Sequence, residues 1–168
     1  PLIVSTREQY EHGIAAISTR DIRWDRCDIK AISLLPNVLM RQMAVDAGAV
    51  EAVMFRDGIL TEGAASNILA VEAGVILAPP KDQNMLPGIT YDLILELAEA
   101  NAIPVEIGYF EEARIRAADE LWITSSTKEV LAIVTLDGQP IGNGQPGPMF
   151  RRMYQLYQDY KNQVMRHG

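Results

Sequence analysis

Three short turns, Arg56-Asp57-Gly58, Glu72-Ala73-Gly74 and Asp137-Gly138, constrain this chain of 168 residues more than any other feature. Each lies beside apolar runs, and a residue-Gly pair supplies the left-handed backbone that a tight hairpin needs. Ala49 to Phe55 with Ile59-Leu60, and Asn67 to Val71 with Val75 to Leu77, are therefore read as paired strands. Val130 to Leu136 is the strand that precedes the third turn. Further strands are expected over Leu2 to Thr6, Gly13 to Ser18, Val105 to Ile107 and Leu121 to Ile123. Helical spacing takes over at Pro36 to Ala47 (Val38, Leu39, Met43, Ala44), with Gly48 as the stop. It returns at Asp92 to Ala102, with Leu93, Leu97 and Ala98 inward, and at Phe150 to Val164, whose stripe of Phe150, Met153, Tyr154 and Tyr157 is core packing. Glu111 to Ala118 is a short helix. The whole reads as one mixed α/β domain, strands in hairpins with helices laid over them.

Charge and composition exclude several functions. A formal net charge of −7 argues against nucleic acid, whose phosphates call for a basic face. No apolar run is long enough to span a bilayer, and no signal-peptide pattern opens the chain. The single cysteine, Cys27, rules out an internal disulfide and suits a reducing cytoplasm. No cluster of metal-ligand spacing stands out. The chain opens on Pro1 rather than Met, so a C-terminal portion of a longer protein is expected.

Four stretches carry chemistry. In Arg26-Cys27-Asp28-Ile29-Lys30 the apolar alternation predicts an extended segment with Asp28 and Lys30 on one face, before a helix that starts near Leu34 or Pro36. A lysine at a strand end either snorkels to water or is an amine held partly desolvated, ready to condense with a carbonyl. Glu62 closes a return strand before the small-residue loop Gly63-Ala64-Ala65-Ser66-Asn67. Such a carboxylate faces solvent or a cationic ring nitrogen. Leu86-Pro87-Gly88-Ile89-Thr90 leads into a helix whose free N–H groups make an anion site, unless Thr90 or Asp92 simply caps it. Thr124-Ser125-Ser126-Thr127 sets four hydroxyls at a strand end, suited to local backbone or to phosphate oxygens. Together these are an amine for an aldehyde, a carboxylate for a ring nitrogen and donors for a phosphate, which is what pyridoxal 5'-phosphate requires.

The order and wording of these pieces resemble the large C-terminal domain of the fold-type IV pyridoxal-phosphate enzymes, most closely the D-amino acid (D-alanine) aminotransferases. The matching stretches are Arg23-Trp24 with Arg26 to Lys30, Leu34-Leu35, Glu51-Ala52, Thr61-Glu62-Gly63, Ser66-Asn67, Leu86 to Thr90, Ala118-Asp119-Glu120 and Thr124 to Val130. They cover nearly the whole chain.

The resemblance implies a mixed α/β domain with a barrel-like sheet over residues 1–168, lacking the family's small N-terminal domain. It implies a cytoplasmic homodimer that exchanges an amino group between a D-amino acid and a 2-keto acid. Lys30 is then the Schiff-base lysine and proton carrier, and Glu62 pairs with the pyridine nitrogen. Gly88, Ile89 and Thr90 hold the phosphate, with Ser125, Ser126 and Thr127 completing that cup. Leu86 packs on the ring face and Arg23 supports the ring hydroxyl side through a partner. Branched-chain aminotransferase and aminodeoxychorismate lyase are alternatives in the same superfamily, and a noncatalytic association domain is a third. Two departures stand out: the missing domain carries a phosphate arginine and the substrate clamp, and the loop after Glu62 has fewer hydroxyls than many members. The segment alone is therefore expected to be inactive.

Overall fold

The computed structural model describes residues 5–165. It begins with α1 (Arg7–His12), β1 (Ile14–Arg20) and α2 (Leu35–Asp46). Four strands follow in two hairpins: β2 (Glu51–Arg56) with β3 (Ile59–Gly63), and β4 (Asn67–Glu72) with β5 (Val75–Ala78). Then come α3 (Ile89–Ala100), β6 (Val105–Ile107), α4 (Glu112–Arg116) and β7 (Glu120–Ser125). The last elements are β8 (Glu129–Leu136), β9 (Gln139–Pro140) and α5 (Pro148–Tyr160), which runs on into a π turn, Lys161–Met165. In all three expected turns both central residues are left-handed: Asp57 and Gly58, Ala73 and Gly74, and Asp137 and Gly138. That is the turn whose twist matches paired strands.

The strands form one sheet in the order β3-β2-β1-β8-β7-β4-β5-β6, with β9 on β8. β1 runs parallel to β2 and β8, and β5 to β6, while the other pairs are antiparallel. The outer strand β3 meets the segment that follows β6, the outer strand at the other end. Leu60 N–H of β3 donates to Phe110 O at 2.9 Å, just beyond β6, and Glu112 N–H donates to Gly58 O at 2.9 Å. A sheet joined across its own ends must curl, which gives the barrel-like form. Period-two alternation then loads both faces. Ile68, Ala70, Leu121, Ile123, Leu131 and Ile133 fill the inside. Leu69, Val71, Trp122, Val130 and Ala132 face outward beneath Tyr91, Leu93, Ile94, Phe150, Met153 and Tyr157 of α3 and α5. Helix α5 is anchored by Glu120, whose buried carboxylate accepts from Met149 N–H (2.9 Å), Phe150 N–H (2.8 Å) and Trp122 Nε1 (2.9 Å). A carboxylate at a helix start satisfies free N–H groups and complements the dipole.

Three expectations are corrected. Residues 2–4 of the first expected strand lie outside the described residues, and Thr6 is instead the N-cap of α1. Its hydroxyl accepts from Gln9 N–H at 3.2 Å, and the Gln9 side chain accepts from Thr6 N–H at 3.1 Å. That Thr-x-x-Gln box was the available signal. The segment 21–30 is a loop with a turn at Cys27-Asp28, not a strand. Its hydrogen bonds go sideways, Cys27 N–H to Gln83 O at 2.7 Å, so Cys27 is buried while Ile29 is exposed and the alternation defines no face. Helix α2 forms where the spacing of Val38, Leu39, Met43 and Ala44 places it; it buries Met40 and Ala44 and leaves Val38, Leu39 and Met43 about half exposed. Leu97 of α3, expected inward, is only partly buried.

Candidate functional site

β3 lifts Glu62 to the rim of the curled sheet, where it is 5% exposed. Its carboxylate accepts from three directions: Arg23 Nη1, Asn67 Nδ2 at 3.2 Å and Leu86 N–H at 3.2 Å. Burial is the largest influence on its acidity, and Arg23 offsets only part of it, so the group is pushed up to about 7. Arg23 is the hub. Its Nε and Nη2 grip Asp21 at 2.9 and 2.7 Å, and Nη2 also donates to Asn84 O at 2.9 Å. Burial works against the Asp21 anion, but Arg23 on one side and Arg56 on the other hold its carboxyl below the usual carboxylate range. Thr61 Oγ1, one residue before Glu62, donates to Asp21 Oδ2 at 3.0 Å. Arg23, expected to support the ring hydroxyl side through a partner, touches Glu62 directly.

Asn67, at the start of β4, ties the carboxylate to the helix. Its Nδ2 donates to Glu62 and to Leu86 O (2.9 Å), while its Oδ1 accepts from Gly88 N–H (3.2 Å). Gly88 is the N-cap of α3, which has no side-chain cap, so the first-turn N–H groups stay available. A Cβ at Gly88 would stand 2.5 Å from Asn67 Oδ1, so this close approach requires glycine on steric grounds, its φ being an ordinary −80°. Thr90 is buried, Ile89 exposed and Leu86 partly buried. Asp92, the other suspected cap, pairs with Lys81 at 2.5 Å. Sequence reasoning quoted Asn67 but gave it no role. Its reach across 5, 19 and 21 residues leaves no local trace.

The hydroxyl turn lies on the same rim. Thr124 of β7 pairs in register with Asn67, and Ser125 pairs with Glu129, so Ser126, Thr127 and Lys128 form the crossing between β7 and β8. Ser125 Oγ accepts from Lys128 N–H at 3.1 Å, while Ser126 and Thr127 are exposed. Thr124 Oγ1 is buried without a partner among the described residues. No hydrogen bond within the described residues joins this turn to Glu62 or Gly88.

Lys30 stands apart from these groups. It is exposed in the loop, three residues beyond Cys27, and makes no described contact with Glu62. The loop itself is fixed to the segment that carries Leu86, by Cys27 N–H to Gln83 O and by Arg23 to Asn84 O. The structure therefore assembles Arg23, Glu62, Leu86 and Gly88, sets Ile89, Thr90 and the Ser125–Thr127 turn along the same rim, and leaves Lys30 on an adjoining loop. A cavity of about 220 Å³ lies behind β3, lined by Arg56, Thr61, Met85 and Tyr109, and Glu62 does not line it. Among the described residues there is no cluster suited to a metal ion, and no helix long and apolar enough to cross a membrane.

The sequence matches the amino-transferase class IV family over residues 4–136. A D-alanine aminotransferase of Bacillus licheniformis is 39% identical over 157 residues, 94% of this chain and 56% of that protein. One from Staphylococcus epidermidis is 42% identical over 153 residues, 91% and 54% respectively. Among solved structures, the branched-chain amino acid aminotransferase of Escherichia coli superposes with a TM-score of 0.82 at 28% identity, over 92% of this chain and 53% of that one. The T.th. branched-chain amino acid aminotransferase with pyridoxamine 5'-phosphate gives 0.86 at 28% identity, over 92% and 52%. The chain spans about half the length of the curated relatives it matches.

Proposed function

The chain belongs to the class IV aminotransferase family, and from that premise we propose that it is the pyridoxal-phosphate-binding domain of a D-amino acid aminotransferase. The observation that carries the reading is Asn67, which fixes a buried carboxylate and an uncapped helix N-terminus to one another. The donor set fits the cofactor. Glu62 is an acceptor for a ring nitrogen, Gly88, Ile89 and Thr90 offer helix N–H groups to a phosphate, and the orphaned Thr124 hydroxyl lies on the strand beside Asn67, just before the Ser125–Thr127 turn. Leu86 would pack on the ring, and Arg23 holds Glu62 in place. Bound pyridoxal phosphate supplies the electron-withdrawing ring that makes an amino acid's α-proton acidic. With it bound, Glu62 would hold the ring nitrogen's proton, and the amine of Lys30, on the adjoining loop, would hold the cofactor and move the substrate proton. The substrates are a D-amino acid such as D-alanine and a 2-keto acid. The working protein is a cytoplasmic homodimer, and the exposed apolar face of α2 is where the second copy sits.

Borohydride reduction of the cofactor-loaded full-length protein, followed by peptide mapping, tests the assignment. The label is expected on Lys30, and Lys30→Ala should lose turnover entirely while keeping the fold. A label on Lys81 or Lys128 would reject the site. A second reading, branched-chain aminotransferase, is favoured by the fold match at TM-scores of 0.82 and 0.86. The sequence likeness of 39–42% to D-alanine enzymes outweighs it. Pyruvate formed from D-alanine and 2-oxoglutarate, with no turnover of L-leucine, separates the two.

A further inference from the structure

Only three buried side-chain polar atoms among the described residues lack a hydrogen-bond partner: Asp92 Oδ1, Thr124 Oγ1 and Lys128 Nζ. The first has Lys81 Nζ at 2.5 Å to match its charge. The other two lie at the end of β7 and in the turn that follows it, on the rim shared with Asn67. An ammonium buried with none of its three protons matched is among the costliest groups a fold can keep. Its charged neighbours do not resolve the problem. Arg41 of α2 and Glu51 of β2 act on it, one of each sign. Glu51 is already committed: Oε2 accepts from Ser66 Oγ at 2.8 Å and lies 3.8 Å from Arg41 Nη1, while Oε1 accepts from Ala52 N–H at 2.9 Å. Two cations and one occupied carboxylate leave a net positive charge beside the hydroxyl turn. Burial first, and Arg41 second, hold the Lys128 amine below the usual lysine range, with Glu51 pulling the other way. An arriving anion would reverse that balance. The backbone is disposed to the same end, because Ser125 Oγ accepts from Lys128 N–H and so keeps its own proton free to donate outward.

We infer that Lys128, with Ser125 beside it, is the cationic ligand of a compact-anion site at the β7–β8 turn, backed by Arg41. The anion is a phosphate monoester or a carboxylate: the phosphate of the cofactor, or the distal carboxylate of an acidic substrate. The inference rests on the cofactor reading above for the source of the anion, but the charge arrangement itself does not depend on it.

The test uses Lys128→Met and Lys128→Arg in the full-length protein. Inorganic phosphate alone should raise the melting temperature of the parent and of Lys128→Arg but not of Lys128→Met. This arm needs no cofactor, so it stands or falls apart from the assignment of function. Without any anion, Lys128→Met should melt no lower than the parent, because it removes an unpaired buried charge. If the cofactor phosphate is the anion, Lys128→Met weakens pyridoxal phosphate about tenfold to a hundredfold and leaves pyridoxal, which lacks the phosphate, unchanged. If a substrate carboxylate is the anion, cofactor affinity holds, and the KM for 2-oxoglutarate rises by a similar factor while that for pyruvate does not. Equal losses for pyridoxal and pyridoxal phosphate, or a phosphate response that survives in Lys128→Met, would overturn the proposal. So would an anion-free Lys128→Met that melts well below the parent, which would make the lysine a structural group.

Discussion

Helices α2 and α3 are each twelve residues long, and each follows a loop that carries candidate site residues, yet they bury very different shares of their apolar side chains. α3 sinks Tyr91, Leu93, Ile94 and Ala98 into the outer face of the sheet, where α5 meets them with Phe150, Met153 and Tyr157. α2 buries Met40 and Ala44 over Ala52 and Met54, and leaves Leu35, Val38, Leu39, Met43 and Val45 facing out. The loop before α2 adds Ile22, Trp24 and Ile32, the last 98% exposed. Most of the large exposed hydrophobic side chains of the described residues therefore fall between 22 and 45. A patch of that kind marks a surface made to be covered. One flank of the domain is finished within these residues and the other is not, and Glu62 lies at the seam between them.

The sharpest way to break this contrast is at the finished flank. Phe150 is 2% exposed, packs edge-on against Trp122 with ring centroids 6.2 Å apart, and stacks near Tyr154. Truncation removes that contact and leaves a cavity beneath α5. Phe150→Ala should destabilise the protein by about 3–5 kcal/mol in denaturant unfolding. A loss below about 1 kcal/mol would show that the outer layer can collapse and that this flank is not close-packed.

At the seam, the expected effect is similar in size but depends on pH. The folded-state value of Glu62 is about 7 against an ordinary 4.5, so the folded protein holds this proton longer than the unfolded chain. A raised value contributes stability in full below about pH 4.5, and that contribution is lost as pH rises through about 7. The span amounts to about 3 kcal/mol. Asp21 runs the other way, since its lowered value contributes above its unfolded range and is lost only in more acidic solution. Measured without cofactor between pH 4.5 and 7.5, Glu62→Gln should therefore flatten the decline seen in the parent. A slope unchanged by Glu62→Gln would mean that Arg23 keeps Glu62 ionised throughout.

The parts of the molecule that could be read from sequence are those fixed locally. A residue-Gly turn specifies its own backbone, so all three turns and two of the hairpins were legible, and with them most of the sheet, while the two-residue return strand β9 was too short to read. The stretches around Glu62 and Gly88 were legible as wording. What joins them was not, because Asn67 bonds across the loops and Arg23 reaches Glu62 from 39 residues away. The loop 21–30 misled for the same reason: its partners are Gln83 and Asn84 rather than a neighbouring strand, and side-chain alternation cannot reveal that. Helix α1 is too short to show a period and announces itself only through its capping box. Periodicity found α2 correctly, but an apolar stripe says only that a face wants cover, not which surface supplies it.

The open flank sets the smallest stability effect and the largest change in association. Leu35 and Leu39 lie one turn apart on α2, 68% and 49% exposed, so neither contributes much to packing within the described residues. Gln is nearly as good a helix former as Leu. The double variant Leu35→Gln, Leu39→Gln should therefore shift unfolding free energy by no more than about 0.5 kcal/mol, measured at a concentration where the protein is dissociated. If a second copy covers this face as proposed above, removing two of its apolar side chains has a different consequence, because such anchors carry a large share of the binding free energy. Sedimentation velocity should then show the dissociation constant of the proposed dimer rising more than about tenfold. The two readouts separate the candidates for what covers the stripe. A weakened dimer with unchanged domain stability assigns it to a second copy. An unchanged oligomeric state with a marked fall in stability assigns it to another part of the same full-length chain. If both stay at parental values, the face is bare in the working protein, and the contrast between α2 and α3 reflects composition alone.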